Sequence, residues 1–183
     1  MYESINTMRI LGVDPGLVTT GYGLIDVTSG EPTLIEGGVV RASTKLPLEQ
    51  RLSTIFHGIQ EIVLEFHPDA LALEAVHTQY ERPIVAVMMG HARGVICLAA
   101  AVNQIPVTSY APTQIKSALT GNGRASKEQI RRMIMMRLNL KTEPSPLDVS
   151  DALAVALCHL SRAGRQLAAS GWNSLSPRGR GKG

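Results

Sequence analysis

The chain has 183 residues, 44% apolar, 18% charged and only 4% aromatic, with a formal net charge of +3. That balance is ordinary for a globular domain packed on aliphatic side chains, and it excludes a disordered chain, a collagen-like chain and a disulfide scaffold. The longest uninterrupted apolar stretch, Gly94 to Val102, falls far short of the about 20 residues of a membrane span, and the opening MYESINTMRI has no basic segment followed by an apolar one, so neither a membrane association nor a secretory signal is expected.

Met8–Val13 reads as a buried strand ending in the turn signal Asp14-Pro-Gly. Gly21–Val27 and Thr33–Val40 read as two further strands, joined by the hairpin chemistry of Thr28-Ser-Gly-Glu-Pro. Leu48 to Phe66 carries apolar residues at helical spacing, and His67-Pro68-Asp69 stops it. Ala70–Ala75 is a short apolar strand. Ile84 to Val102 follows as a helix apolar on several sides, which predicts burial or contact with another subunit.

Pro106–Tyr110 reads as the last strand, and a helix starts at Thr113 behind Pro112. Gly121-Asn-Gly123 interrupts, and Ser126 with Gln129 resembles a capping box opening a basic helix. Pro144-Ser-Pro146 breaks the chain again before a helix from Asp148 to about Arg165. The expected organisation is one domain over residues 1–165 and a disordered basic tail over 166–183. Three strands in a meander, then alternating helices and strands, predict an α/β fold with a five-stranded mixed sheet flanked by helices. Both cysteines, Cys97 and Cys158, sit in apolar helical patterns and are expected to be buried thiols.

Charge is unevenly placed. Arg162 to the end holds five basic residues and no acid. Lys116 to Lys141 holds Lys116, Arg124, Lys127, Arg131, Arg132, Arg137 and Lys141 against Glu128 alone. Such a run is either a solvated helix face or an electrostatic footprint for phosphates.

Four carboxylates bear on that choice. Asp14 ends the first strand, where a plain Asp-Pro-Gly turn is the simpler reading. Glu74 ends the otherwise apolar strand Ala70-Leu-Ala-Leu-Glu, where it is either solvated or paired, because a desolvated lone charge is costly. Asp148 and Asp151 lie three residues apart on one helix face, as first-turn capping acids or as ligands. If the helix crosses the sheet, all four meet. Such a cluster repels itself without cations, and Mg²⁺, with Mn²⁺ as a substitute, fits an all-oxygen donor set. Two ions about 4 Å apart would suit phosphodiester hydrolysis by water.

In order along the chain, Ile10-Leu-Gly-Val-Asp-Pro-Gly, Thr20-Gly-Tyr-Gly, Ala72-Leu-Glu-Ala-Val, Gly90-His-Ala-Arg-Gly94, Tyr110-Ala-Pro-Thr-Gln-Ile-Lys116, Gly121-Asn-Gly123 and Asp148-Val-Ser-Asp151-Ala-Leu-Ala resemble the RuvC family of Holliday-junction resolvases. The resemblance runs from about Met8 to Arg162. It implies a ribonuclease H-like fold and a symmetric homodimer that nicks a four-way DNA junction on opposing strands, leaving 5′-phosphate and 3′-hydroxyl ends. It assigns Asp14, Glu74, Asp148 and Asp151 as catalytic metal-binding carboxylates with two ions per site, and Lys116 and Lys127 as basic residues serving DNA binding or cleavage, Lys116 being also the candidate for charge at the scissile phosphate. Arg124 and Arg131 of the basic run are further DNA-binding candidates. Branch-migration proteins are the implied partners, and a cytoplasmic, nucleoid-associated location is expected.

One departure stands out. Where relatives often carry a Phe that stacks near the crossover, this chain has His77, followed by Thr78-Gln79-Tyr80 in a segment one residue longer. Stacking falls to Tyr80 or His77, or is absent. His91 and His159 read as packing residues rather than ligands, and Arg93 as a partner of a carboxylate or a phosphate. Two other classes remain open at this point: a non-catalytic junction-binding protein that recruits another nuclease, and a phosphotransferase of the actin-like type, for which 183 residues leave little room for a second domain.

Overall fold

The computed structural model describes residues 7–75 and 83–169, with side chains in the last helix described to residue 163. Ten elements follow in chain order: β1 (Thr7–Asp14), β2 (Thr19–Thr28), β3 (Glu31–Arg41), α1 (Leu48–Phe66), β4 (Ala70–Glu74), α2 (Pro83–Val102), β5 (Val107–Tyr110), α3 (Pro112–Thr120), α4 (Lys127–Arg137) and α5 (Leu147–Ala169). The five strands form one sheet in the order β3-β2-β1-β4-β5. β1 to β3 run as an antiparallel meander, and β4 and β5 join β1 in parallel. This is the mixed five-stranded sheet flanked by helices that the element order predicts.

The β2–β3 hairpin closes on Ser29 and Gly30, both at positive φ (53° and 88°), the geometry of a tight turn matched to strand twist. Both strands therefore run right up to the turn and are longer than their apolar cores suggest. α1 ends at His67, whose left-handed φ of 48° lets its N–H reach the Val63 carbonyl.

Strand alternation splits the core in two. Leu11, Val13, Leu24, Leu71 and Leu73 face α1 and α2, where Ile55, Ile59 and Ile96 are buried against them. Ile10, Ile25 and Ala72 face α3, α4 and α5, with Leu153 and Leu157 of α5 among them.

Two sequence expectations change. α5 continues to Ala169, four residues past the predicted end, because Gln166-Leu-Ala-Ala169 holds good helix formers behind a tolerated Gly164; residues 170–183 of the expected tail lie outside the described residues. Of the thiols, Cys158 is buried but Cys97 only partly so. In addition, Ile84–Val102 of α2 is long and apolar enough to cross a membrane by length and composition, although His91 and Arg93 break its apolar run. Its inner face belongs to the core, since Ala92, Ile96, Ala99 and Ala100 are fully buried, whereas Ile84, Val87, Leu98 and Val102 on the other side are more than half exposed.

α5 lies unusually close to the sheet. Gly12, Gly23 and Gly37 sit side by side across β1, β2 and β3, forming a trough with no side chains. A β-carbon on Gly12 would lie 2.1 Å from the Ala152 carbonyl oxygen, one on Gly23 would strike Leu153, and one on Gly37 would strike Val149. The trough and the small residues Ala152 and Ala156 bring the first turns of α5 against the sheet.

Candidate active site

The parallel register of β1 and β4 pairs Val13 with Leu73, so Asp14 and Glu74 end neighbouring strands side by side. Both are one step beyond those core residues and therefore point to the opposite face, the one that α5 covers. The glycine trough then sets α5 over them: Asp14 pairs with Gly21 of β2, and Gly21 lies directly beneath the Asp148 backbone. The carboxyl ends of β1 and β4 and the N-terminal turns of α5 thus converge.

Asp14, Glu74 and Asp151 line one open cavity of about 300 Å³ with Lys116 of α3, Lys127 of α4, and the apolar side chains of Ile115, Ile130 and Ala154. Asp148 does not line it, but its charge is felt by both Asp14 and Asp151. The Lys127 Nζ stands 3.9 Å from Asp151 Oδ2, an open contact between an exposed lysine and a half-buried carboxylate.

Burial dominates the electrostatics. Asp14 is pushed up to about 8, first by desolvation, then by the charges of Glu74 and Asp151 and by a hydrogen bond with Glu74. Glu74 is also raised by desolvation and by Asp151, while the Asp14 hydrogen bond, Lys127 and Lys116 pull it down. Asp14 and Glu74 are in hydrogen-bond contact and both raised by burial, so the proton they retain belongs to the pair. Asp151 is raised by burial, with Lys127 and Arg131 opposing. Among the described residues no three Asp, Glu, His or Cys side chains are drawn together into a ready-made metal cage. The donor set is nonetheless all carboxylate oxygen, and Asp14 with Glu74 stay together only by retaining a proton where a cation would otherwise balance them. That chemistry fits a hard divalent ion.

Among the described residues, the remaining candidates do not line the cavity, although the charge of Arg131 reaches Asp151. Arg124 is exposed in the α3–α4 connection, where its backbone N–H donates to Asn122 Oδ1 at 2.9 Å. Arg131 is half-buried and reaches Glu143 at 3.4 Å. Ser126 and Gln129 form the expected capping box at the start of α4. His77 and Tyr80 lie outside the described residues. His159 is buried and takes part in a 2.9 Å hydrogen bond with the Tyr110 hydroxyl, and His91 is exposed on α2 rather than packed. Arg93 Nη2 donates to the Ser109 hydroxyl, and among the described residues it joins no ion pair and does not line the cavity. Sequence reasoning missed the glycine trough, whose signal was present in the alternation Gly21-Tyr-Gly23, and missed Arg51 of α1, which donates twice to the Leu17 carbonyl (3.0 and 3.2 Å) in the turn after Asp14.

Comparison with known proteins gives a consistent set of relatives. The family described as crossover junction endodeoxyribonuclease RuvC matches residues 10–159. The RuvC of Rhodopirellula baltica is 48% identical over 149 residues, covering 81% of this chain and 84% of the relative. The Thermus thermophilus RuvC structure superposes with a TM-score of 0.81 at 34% identity, covering 87% of this chain and 97% of that one. The same protein in complex with a Holliday junction substrate superposes with a TM-score of 0.82 at 34% identity, covering 87% and 96%.

Proposed function

Because the chain belongs to the RuvC family of crossover junction endodeoxyribonucleases, we propose how its own residues carry out the family's reaction. The protein is a Holliday junction resolvase, a structure-selective endonuclease of DNA recombination and repair. The observation that carries the catalytic reading is the Asp14–Glu74 pair, side by side on adjacent strand ends and facing a cavity that also holds Asp151, Lys116 and Lys127.

Asp14, Glu74, Asp151 and Asp148 are the residues that would hold divalent cations, two per site, Mg²⁺ or Mn²⁺. When bound, such ions lower the pKa of a water and stabilise charge on the leaving oxygen. The reading is hydrolysis without a covalent intermediate: water oxygen bonds to phosphorus, the bond from phosphorus to the 3′-oxygen breaks, and the products are a 5′-phosphate and a 3′-hydroxyl. Lys116 offers positive charge to the phosphate as negative charge builds on it. Lys127 lies against Asp151 in the free protein and is close enough to exchange that contact for a phosphate oxygen. The apolar wall of Ile115 and Ile130 limits water around these charges, which strengthens each interaction.

The reading includes a homodimer formed through the outward face of α2. Ile84, Val87, Leu98 and Val102 are exposed there on one helix, and a second copy supplies a self-complementary cover. Two sites related by a two-fold axis match the symmetry of a four-way junction and give paired nicks. Family membership supports two further readings: branch-migration proteins as working partners, and action in the cytoplasm on nucleoid DNA.

A non-catalytic junction binder has no use for three carboxylates in a phosphate-binding cavity, since each weakens DNA binding. Incubating the protein with a synthetic four-way junction and Mg²⁺ or Mn²⁺ tests the choice. Nicks at symmetric positions on opposing strands are expected; binding with intact strands would sink the catalytic reading.

A further inference from the structure

The described basic residues differ in what occupies them. Arg9 is held by Asp26 at 2.7 Å, Arg132 by Glu128 at 2.6 Å and Arg131 by Glu143. Arg51 is committed to the Leu17 carbonyl, and Arg137 donates to Ser161. Arg41 and Lys45, like Arg124 and Lys141, are exposed and take part in none of the ion pairs among the described residues.

Arg41 and Lys45 have a specific place in the fold. Asp14 pairs with Gly21, Gly21 with Val39, and Thr19 with Arg41. Arg41 is therefore two strands from Asp14, roughly 10 Å sideways, and two residues further toward the active-site end of the sheet. Val39 packs into the α5-side core, so strand alternation puts Arg41 on the face that Asp14 and Glu74 share. Lys116 and Lys127 approach the same carboxylates from the opposite, β5, side.

The loop after Arg41 is also fixed to the active-site turn. The Ala42 N–H donates to the Val18 carbonyl at 2.9 Å. Arg51 holds the neighbouring Leu17 carbonyl from α1. Thr20, fully buried, closes the turn by donating its hydroxyl to the Gly16 carbonyl at 2.7 Å. Gly16 admits no side chain, since its β-carbon would lie 2.0 Å from the Thr19 carbonyl oxygen. Arg41 therefore projects from backbone that is locked to the strand end carrying Asp14, and Lys45 follows in the same loop, its N–H donating to the Ser43 hydroxyl at 3.2 Å.

We propose that Arg41 and Lys45 form a second phosphate-gripping flank, which holds a duplex arm of the junction on the β3 side of the active site. The inference rests on the junction-resolvase reading above and extends it to a second side of the site. Cations on both sides of the carboxylates hold the DNA backbone across the cavity, although the carboxylates themselves repel it. The contact is to phosphate, so it contributes affinity and register rather than sequence preference.

The test is binding of a synthetic four-way junction in EDTA over a series of salt concentrations, for the wild type and for Arg41→Ala/Lys45→Ala. Thermal melts check that the exposed pair leaves the fold intact. The double variant is expected to bind on the order of tenfold more weakly at 0.1 M salt, with the slope of log affinity against log salt reduced by about 2. Cleavage at saturating junction is expected to keep the wild-type rate. Equal affinity and slope in the two proteins overturns the proposal. So does a variant that binds normally but cuts slowly when saturated, because Arg41 and Lys45 would then serve the cleavage step rather than hold DNA. Failure of the wild type itself to bind the junction removes the resolvase reading, and this inference with it.

Discussion

Gly21 of β2 and the backbone of Asp148 at the start of α5 are in direct contact: a β-carbon on Gly21 would lie 2.2 Å from the Asp148 carbonyl oxygen and 2.6 Å from its carbon. Both atoms belong to backbone, so no side chain can swing away to make room. The first turn of α5 would have to lift, and with it Asp148 and Asp151. Gly21→Ala is expected to slow junction cleavage at least tenfold, because misplacing reacting groups by about an ångström costs up to 10²-fold. Over-packing of this kind destabilises by about 1–3 kcal/mol, so a thermal melt should show a folded but less stable protein. Wild-type cleavage by a well-folded Gly21→Ala would mean that α5 need not sit so close for the chemistry.

Asp14→Asn and Glu74→Gln keep shape and remove charge. Each is expected to lower cleavage at least 10³-fold while junction binding stays equal or tightens, since one repulsive charge has gone from a surface that holds phosphates. Side-by-side cleavage and gel-shift measurements decide it. A variant that cuts at the wild-type rate removes that residue from the mechanism.

The architecture was legible in the sequence because apolar periodicity is a local signal, and β1, α1, β4 and α2 all show it. The strand ends were not legible in the same way: β2 and β3 run on to Ser29-Gly30 because a tight turn sustains the ladder beyond the apolar residues. The carboxylates stood out as charges in apolar surroundings. Which of them share a cavity depends on how deeply α5 sinks into the trough of Gly12, Gly23 and Gly37, and a glycine in a sequence does not say what approaches it. The same holds for Arg51, whose part in holding the turn after Asp14 crosses 34 residues of chain. Arg131 belongs to a visible basic run, yet its contact with Glu143 needed the fold.

The outward face of α2 carries the dimer reading. Leu98 is 52% exposed on a helix whose opposite side is fully buried, so Leu98→Glu is expected to leave the monomer folded and to break the pair. Sedimentation should show a shift from dimer to monomer at micromolar protein. Junction cleavage should then turn from paired to single nicks. A dimer that survives Leu98→Glu, together with a second charge at Val87→Glu, would place the interface elsewhere.

The carboxylate cluster also makes stability depend on pH in a direction opposite to that of most acidic groups. The proton that Asp14 shares with Glu74 is held up to about 8 in the folded chain, whereas Asp14 has an ordinary value of 3.8 once unfolded. Between those values the folded state binds more protons than the unfolded one, so stability falls as pH rises. The contribution is complete below about 3.8 and lost as pH passes 8, and Glu74 and Asp151, also raised, act in the same direction. His159, lowered by burial from 6.5, opposes this only in acid, where the unfolded chain takes up its proton. In EDTA the melting temperature is therefore expected to drop from pH 6.5 to pH 9, by roughly 2–4 °C for each kcal/mol lost. Asp14→Asn should flatten the profile and melt higher than the wild type at pH 9. Mg²⁺ or Mn²⁺ should flatten it too, because a bound cation replaces the proton as the partner of the carboxylates. A metal-free melting temperature that rises from pH 6.5 to pH 9 would show that Asp14 and Glu74 are solvated rather than pressed together over the cavity.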